Sequence, residues 1–248
     1  MLRASITTAG AATDAALLGG ATVAFDLDGT LVDSAPDLLG AVNAVLIADG
    51  IPPVLSHAGR HLISHGARGL LQHGLAAAGA DDPAGRAAAL FGRFLRHYAA
   101  HLADESRPFP GAVDALTGLK AAGATLVVCT NKPTDLSRRL LAALGMLRLF
   151  DGVVGADAVS AAKPDAAHLI EAVAAVGGDL ARTVLVGDAD IDARAARAAG
   201  TPLILVDFGY TEVPAADLAP DVLLSRFDDL LPACRRLLDP KGGLAAAG

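Results

Sequence analysis

An α/β fold, with a parallel sheet flanked by helices and an all-helical cap inserted near its start, is predicted by three features of this sequence. From Gly111 onward, short apolar runs alternate with helical segments, the texture of a parallel sheet covered on both faces. An earlier apolar run, Ala21 to Phe25, ends in two aspartates one residue apart. Between that run and Gly111 the periodicity is helical throughout, with no convincing strand. The arrangement is Rossmann-like. Core segments are expected at 21–35 and 108–238 and the cap at 36–107, with a loosely ordered leader at 1–20 and a tail at 239–248.

The 248 residues are 53% hydrophobic, enough to bury a sizeable core. A net charge of −7 with dispersed acids argues against a nucleic-acid partner, which calls for a basic stripe. No apolar run approaches the length of a membrane span. The first 20 residues hold one basic residue, Arg3, and no sustained apolar stretch, unlike a secretory signal. Cys129 and Cys234 lack metal-ligand spacing, and Cys129 reads as a small buried residue. A reducing, cytoplasmic setting is expected, and the partners expected are a small molecule and at most a second copy of the chain (monomer or homodimer), with no membrane.

Taken in order, Ala21 to Phe25 is a buried strand. Side chains alternate along a strand, so Asp26 and Asp28 start toward one side, and Gly29 lets the backbone turn. Ser34 is a plausible N-cap for a helix with Pro36 in its first turn and Leu38, Leu39, Val42, Val45 and Leu46 at helical spacing. Asp49-Gly50 ends it. Helical texture resumes from His57 to His101, interrupted at Gly66, Gly69, Gly79 and Asp81-Asp82-Pro83. Arg107-Pro108-Phe109-Pro110-Gly111 reads as a stiff hinge. Then follow a helix from Ala112, a strand Thr125 to Cys129 and a helix Thr134 to Leu144. A strand Gly152 to Val154 comes next, then a helix carrying Leu169, Ile170, Val173 and Val176. Strand Thr183 to Val186, helix Ile191 to Ala199 and strand Leu203 to Val206 complete the alternation.

Candidate chemistry clusters at four expected strand ends. Asp26 and Asp28 are like charges in close company, which suggests a divalent cation or one ionised acid beside one protonated one. Thr130-Asn131 offers a hydroxyl and backbone N–H groups near a helix start, a combination that suits an anion. Lys163-Pro164 places a lysine on a constrained loop. Gly187-Asp188-Ala189-Asp190-Ile191-Asp192 adds more carboxylates. A parallel sheet brings all these ends to one edge. A carboxylate nucleophile, a second acid, a cation site, an anion-binding hydroxyl and a lysine together suit phosphoryl transfer through an aspartyl-phosphate.

In order, Asp26-Leu27-Asp28-Gly29-Thr30, Thr130-Asn131, Lys163-Pro164 and Gly187-Asp188…Asp192 resemble the four motifs of the haloacid dehalogenase superfamily. The resemblance spans Thr22 to Leu231. Cys129-Thr130-Asn131-Lys132-Pro133, Arg107 to Gly111, Phe208-Gly209-Tyr210 and Ala195 to Gly200 resemble its phosphoglycolate phosphatase branch. One departure is Ala189, where the family often has Ser. The resemblance implies a Mg²⁺-dependent phosphatase for a small phosphomonoester such as 2-phosphoglycolate. It implies Asp26 as nucleophile, Asp28 as acid and base, and Mg²⁺ on Asp26, Asp28 (by its carbonyl) and Asp188. Thr130 and Asn131 would bind phosphate, Lys163 would offset charge, and Asp192 would orient Lys163 or a metal-bound water, with Thr30 grouped among the substrate contacts. Dehalogenase chemistry does not need Asp28, and Thr30 disfavours a mutase. Sugar-phosphate phosphatase, pyrophosphatase and a non-catalytic phosphate-binding protein stay open.

Choice of substrate falls to the cap. Arg68, in the glycine-flanked segment His65 to Leu70, is the cation there that a phosphorylated carboxylic acid would need; a solvated surface arginine is the alternative. His57, His61 and His65 recur every four residues without an accompanying acid or Cys. They read as an exposed or cap-interface face rather than a metal site.

Overall fold

The computed structural model describes residues 18–239, so most of the expected leader and tail lies outside the described residues. Six strands form one parallel sheet: β1 (Thr22–Phe25), β4 (Thr125–Thr130), β5 (Gly152–Gly155), β6 (Thr183–Gly187), β7 (Leu203–Val206) and β8 (Val222–Leu224). Their order is β5-β4-β1-β6-β7-β8. The chain runs outward from β1 through β4 to β5, then crosses back to place β6 on the other side of β1. That reversal opens a crevice at the carboxyl ends of β1, β4 and β6, where open α/β sheets bind ligands.

Alternation along the strands divides the core. Val23, Phe25, Leu126, Val128, Val184 and Val186 face one apolar cluster, while Ala24, Val127, Cys129 and Leu185 face the other. The first cluster is closed by α4 (Ala112–Ala121), α5 (Thr134–Ala143) and α8 (Leu230–Leu238). The second is closed by α6 (Ala166–Ala175) and α7 (Asp190–Ala199). Strand β8 leaves no signal in the sequence, because three residues flanked by polar ones carry too little periodicity.

The cap comprises α1 (Ala35–Ala48), a 3₁₀ stretch (His57–His65), α2 (Gly66–Ala77) and α3 (Pro83–Ala100). Gly66 and Asp81-Asp82-Pro83 fall at helix ends, with Asp82 capping the Gly85 N–H, whereas Gly69 lies inside α2. The buried cap residues Leu70, Leu71, Leu75, Phe94 and Tyr98 belong to the same apolar cluster as one sheet face.

The hinge differs from a plain proline-stiffened loop. β2 (Val32–Asp33) and β3 (Arg107–Pro108) pair antiparallel where the chain leaves and re-enters the core. The buried Asp37 carboxylate on α1 ties the returning segment down, accepting from Ser106 N (2.8 Å), Ser106 Oγ (2.6 Å) and Glu105 N (3.0 Å). Two-residue strands leave no period-2 signature, which is why sequence alone shows a hinge without a ribbon.

Candidate active site

Strand β1 ends at Phe25, so Asp26 is the first residue beyond the sheet edge; its N–H still donates to Val186 O (2.9 Å). Gly29, with φ of +88°, turns the chain tightly against the Asp188 carboxylate and the Tyr210 ring, where any Cβ would overlap both. This close approach requires glycine.

The two acids diverge. Asp26 faces Lys163, with Nζ–Oδ1 of 3.0 Å. Asp28 turns to Lys132, whose Nζ lies 3.1 and 3.0 Å from its two oxygens, and accepts from Ser34 Oγ (2.5 Å). Ser34 occupies the expected N-cap position of α1, but its hydroxyl serves Asp28 and makes no side-chain cap. Each acid has its own lysine, which relieves the repulsion expected of the pair: opposite charges at about 4 Å attract by about 4 kcal/mol at an effective dielectric of 20.

Lys163 lies between β5 and α6 and is buried, donating to Asp192 Oδ1 (2.7 Å) as well as facing Asp26. Burial works against its charge, but Asp192 and Asp26 more than offset this and hold the ammonium firmly protonated. Its backbone N–H donates to His168 Nδ1 (3.2 Å), and His168 Nε2 faces Val154 O (3.3 Å). Burial and the Lys163 charge push the imidazole down to about 4. His168 is thus a neutral support for the lysine loop, a role its isolated position in the sequence does not announce. Asn131 reaches the same loop, its Nδ2 donating to Lys163 O (2.8 Å). Thr130 is buried at the end of β4, its Oγ1 accepting from Lys132 N (3.3 Å).

Asp188 follows β6 and is buried. Its oxygens accept from Thr30 Oγ1 (2.7 Å) and Tyr210 N (2.8 Å). Thr30 is itself fully buried and is spent on Asp188, not turned to the cavity, which corrects its grouping with substrate contacts. Asp192 accepts from the backbone N–H groups of Asp188 and Ala189 (3.2 and 3.1 Å). A carboxylate from within the first turn of α7 thereby reaches back to the N-cap backbone N–H of its own helix, the acid's half of a capping box.

Carboxylate oxygens of Asp26, Asp188 and Asp192 lie within 4.8 Å of one another. The Asp28 side chain is not in this cluster, so any share it has in a metal site is through its backbone. Burial pushes Asp26 up to about 6 against the pull of Lys163, with Asp192 adding to the rise. Burial, then Asp192 and Asp26, hold Asp188 well above the usual carboxylate range. Among the described residues no cationic side chain pairs with Asp188.

A cavity of about 330 Å³ opens over these groups, with Asp26, Asp28, Thr130, Asn131, Lys132 and Asp188 on its core side. Ser64, His65, Gly66, Phe94 and Tyr98 line its cap side. The structure does not bring Arg68 there: it is exposed on α2, with its guanidinium over the Phe91 ring, 4.8 Å from the centroid. Residues two apart on a helix lie on different faces, so Gly66 and Ala67 reach the cavity while Arg68 turns outward. Of the three spaced histidines, His65 pairs with Glu212 of the core (2.7 Å). Among the described residues none of the three joins a metal-ligating cluster.

Tyr210 links cap hinge and acid cluster. Its hydroxyl donates to Asp33 Oδ1 (2.6 Å) and accepts from Ala35 N (2.9 Å), while its N–H holds Asp188. Tyr210→Phe orphans the Ala35 N–H and is expected to lower stability by about 1–3 kcal/mol, read as a lower urea midpoint at unchanged slope.

Fold and site together define a capped, parallel-sheet α/β protein with buried carboxylates and lysines gathered at the carboxyl edge of its sheet. The model of the haloacid dehalogenase-like hydrolase family matches residues 21–200, and the chain belongs to that family. It is 53% identical to a phosphoglycolate phosphatase of Caulobacter vibrioides, over 89% of this chain and 93% of that one. It is 42% identical to one from Agrobacterium fabrum, over 90% and 95%. Among solved structures, a predicted phosphoglycolate phosphatase from Haemophilus somnus 129pt superposes with a TM-score of 0.76 at 30% identity, covering 86% of this chain and 96% of that one. No helix among the described residues is long and apolar enough to cross a membrane.

Proposed function

We propose that the protein is a Mg²⁺-dependent phosphatase that hydrolyses a small phosphomonoester, 2-phosphoglycolate in the first place, to glycolate and phosphate. The observation that carries the chemistry is a buried Asp26 carboxylate paired with Lys163 and open to a capped cavity. The substrate rests on the similarity to the two phosphoglycolate phosphatases.

The acid cluster suits a hard divalent cation. Asp188 is a buried carboxylate with two hydrogen bonds but no cationic partner among the described residues, crowded by Asp26 and Asp192. Oxygen donors of this kind fit Mg²⁺. Asp26, Asp188 and the Asp28 carbonyl would hold it, and when bound it would neutralise charge on the phosphoryl oxygens.

The chain's own residues do the rest. The Asp26 carboxylate attacks phosphorus, and the ester P–O bond breaks. Asp28 gives a proton to the leaving alkoxide. It then takes a proton from water, which attacks the same phosphorus and frees Asp26. Thr130 Oγ1 and the Asn131 N–H bind phosphoryl oxygens, and Lys163, held by Asp192, offsets their charge. Removing the proton carrier by Asp28→Asn is expected to lower kcat by about 10²–10⁴; a wild-type pH–rate profile in that variant would contradict the assignment. Phosphate release from phosphoglycolate, sugar phosphates and pyrophosphate, with Mg²⁺ and with chelator, tests the whole reading. No release from any, or release that ignores chelator, overturns it.

A further inference from the structure

We infer that Lys132, set against the Tyr98 hydroxyl of the cap, is the subsite that takes the carboxylate of the substrate. The inference deepens the reading above and rests on it.

A phosphorylated hydroxy acid brings two anions. The phosphoryl group is provided for by Lys163 and the cluster around Asp26 and Asp188. Its carboxylate enters the cavity beyond, whose wall is largely apolar, with Leu38, Ile63, Phe94 and Leu95 among its residues. Leaving a carboxylate unpaired there is costly, so a cation is required. Arg68 is not at hand, since it lies over Phe91 outside the cavity wall. Of the two basic residues lining the cavity, His65 is exposed and pairs with the exposed Glu212, where water competes for any anion. Lys132 is the other.

Connectivity places it correctly. Asp28 attends the leaving oxygen, and in phosphoglycolate the carboxylate is one methylene beyond that oxygen. Lys132 Nζ lies 3.0 Å beyond Asp28, on the cap side. It donates to Tyr98 Oη (2.6 Å) and sits 4.5 Å from that ring's centroid. The ammonium is buried between these two groups. The Tyr98 hydroxyl accepts from Lys132, and its own hydrogen has no acceptor among the described residues, leaving it free to turn to an incoming oxygen. An ammonium and a phenol side by side, one from the core and one from α3, make a carboxylate receptor that is complete only with the cap in place. A neutral alkyl phosphate has nothing to offer this pair.

The test compares kcat/KM for 2-phosphoglycolate and ethyl phosphate in wild type, Lys132→Met and Tyr98→Phe, with thermal unfolding of each as a folding control. Lys132→Met, which also removes the partner of Asp28, is expected to lose activity on both substrates but at least about 10-fold more on phosphoglycolate than on ethyl phosphate, erasing most of the preference. Tyr98→Phe keeps the ring and the Lys132–Asp28 pair. It is expected to lose about 3- to 10-fold on phosphoglycolate alone, and it carries the test if Lys132→Met does not fold. Equal losses on both substrates would mean that Lys132 acts through Asp28 or the fold, and unchanged values that it does not meet substrate. Either overturns the inference. Wild-type enzyme without a preference for phosphoglycolate would instead remove the substrate reading beneath it.

Discussion

Asp26→Asn is expected to abolish turnover, by about 10⁴-fold or more, while leaving the metal-free protein as stable at pH 7 as the wild type or more so. An amide cannot attack phosphorus, and the other residues have no group to replace it. The stability half follows from burial. Folding raises the Asp26 carboxyl from 3.8 to about 6, so the folded state holds this proton more tightly than the unfolded chain. A raised folded pKa contributes stability below pH 4 that is lost as pH rises through 6, and at pH 7 the full penalty of ionising a buried carboxylate is present. At about 1.36 kcal/mol per unit that penalty is on the order of 2–3 kcal/mol. Asparagine removes it but also gives up the Lys163 pair; Lys163 then keeps Asp192, 2.7 Å away. Melting temperatures in chelator should favour the variant near pH 7 and converge toward pH 4. A variant less stable than the wild type at pH 7, by a margin that shrinks toward pH 4 where the carboxyl is protonated, would show that the Lys163 pair, not the burial of charge, dominates. Residual activity under conditions that exclude deamidation would remove Asp26 as nucleophile.

Much of this site was legible because its chemistry sits within two or three residues of strand ends. A short apolar run fixes a strand, and a parallel sheet then sends Asp26, Thr130 and Asp188 to one edge whatever the helices do. What failed depended on rotation about helices and on side chains two residues from a motif. Arg68 and Ala67 are neighbours in sequence, yet only Ala67 lines the cavity. Thr30 carried the right chemistry for an anion contact and is used to hold Asp188 instead. Lys132 stood inside a quoted motif, but nothing in its neighbours showed that it would turn to Asp28. Tyr98 carries no local signal at all: its ring stacks on Phe94 one turn away on α3 (6.0 Å), and only the tertiary contact with Lys132 gives its hydroxyl a role.

Mg²⁺ is expected to stabilise the wild type but not Asp188→Asn, a substitution expected to leave the metal-free protein no less stable. Asp188 is a buried anion whose neighbours Asp192 and Asp26 oppose its charge. Two hydrogen bonds hold it, from Thr30 and from the Tyr210 N–H. Asparagine can keep both: its oxygen accepts from Tyr210, and its amide donates to the Thr30 hydroxyl, which rotates from donor to acceptor. Packing is also preserved, which matters because Gly29 and Gly209 press so closely that even a methyl group on either would collide with the carboxylate. The substitution therefore removes a charge and little else. A ligand at 100 times its Kd stabilises the folded state by about 2.7 kcal/mol. For a chain of this size each kcal/mol shifts Tm by about 2–4 °C, so Mg²⁺ should raise the wild-type Tm by about 5–10 °C. In the variant the same Mg²⁺ concentration should leave Tm unchanged, while its Tm in chelator matches or exceeds the wild type's. An equal Mg²⁺ shift in both proteins would show that Asp188 is not a ligand. A fall in the chelator Tm would show that its carboxylate is held by bonds that an amide cannot imitate.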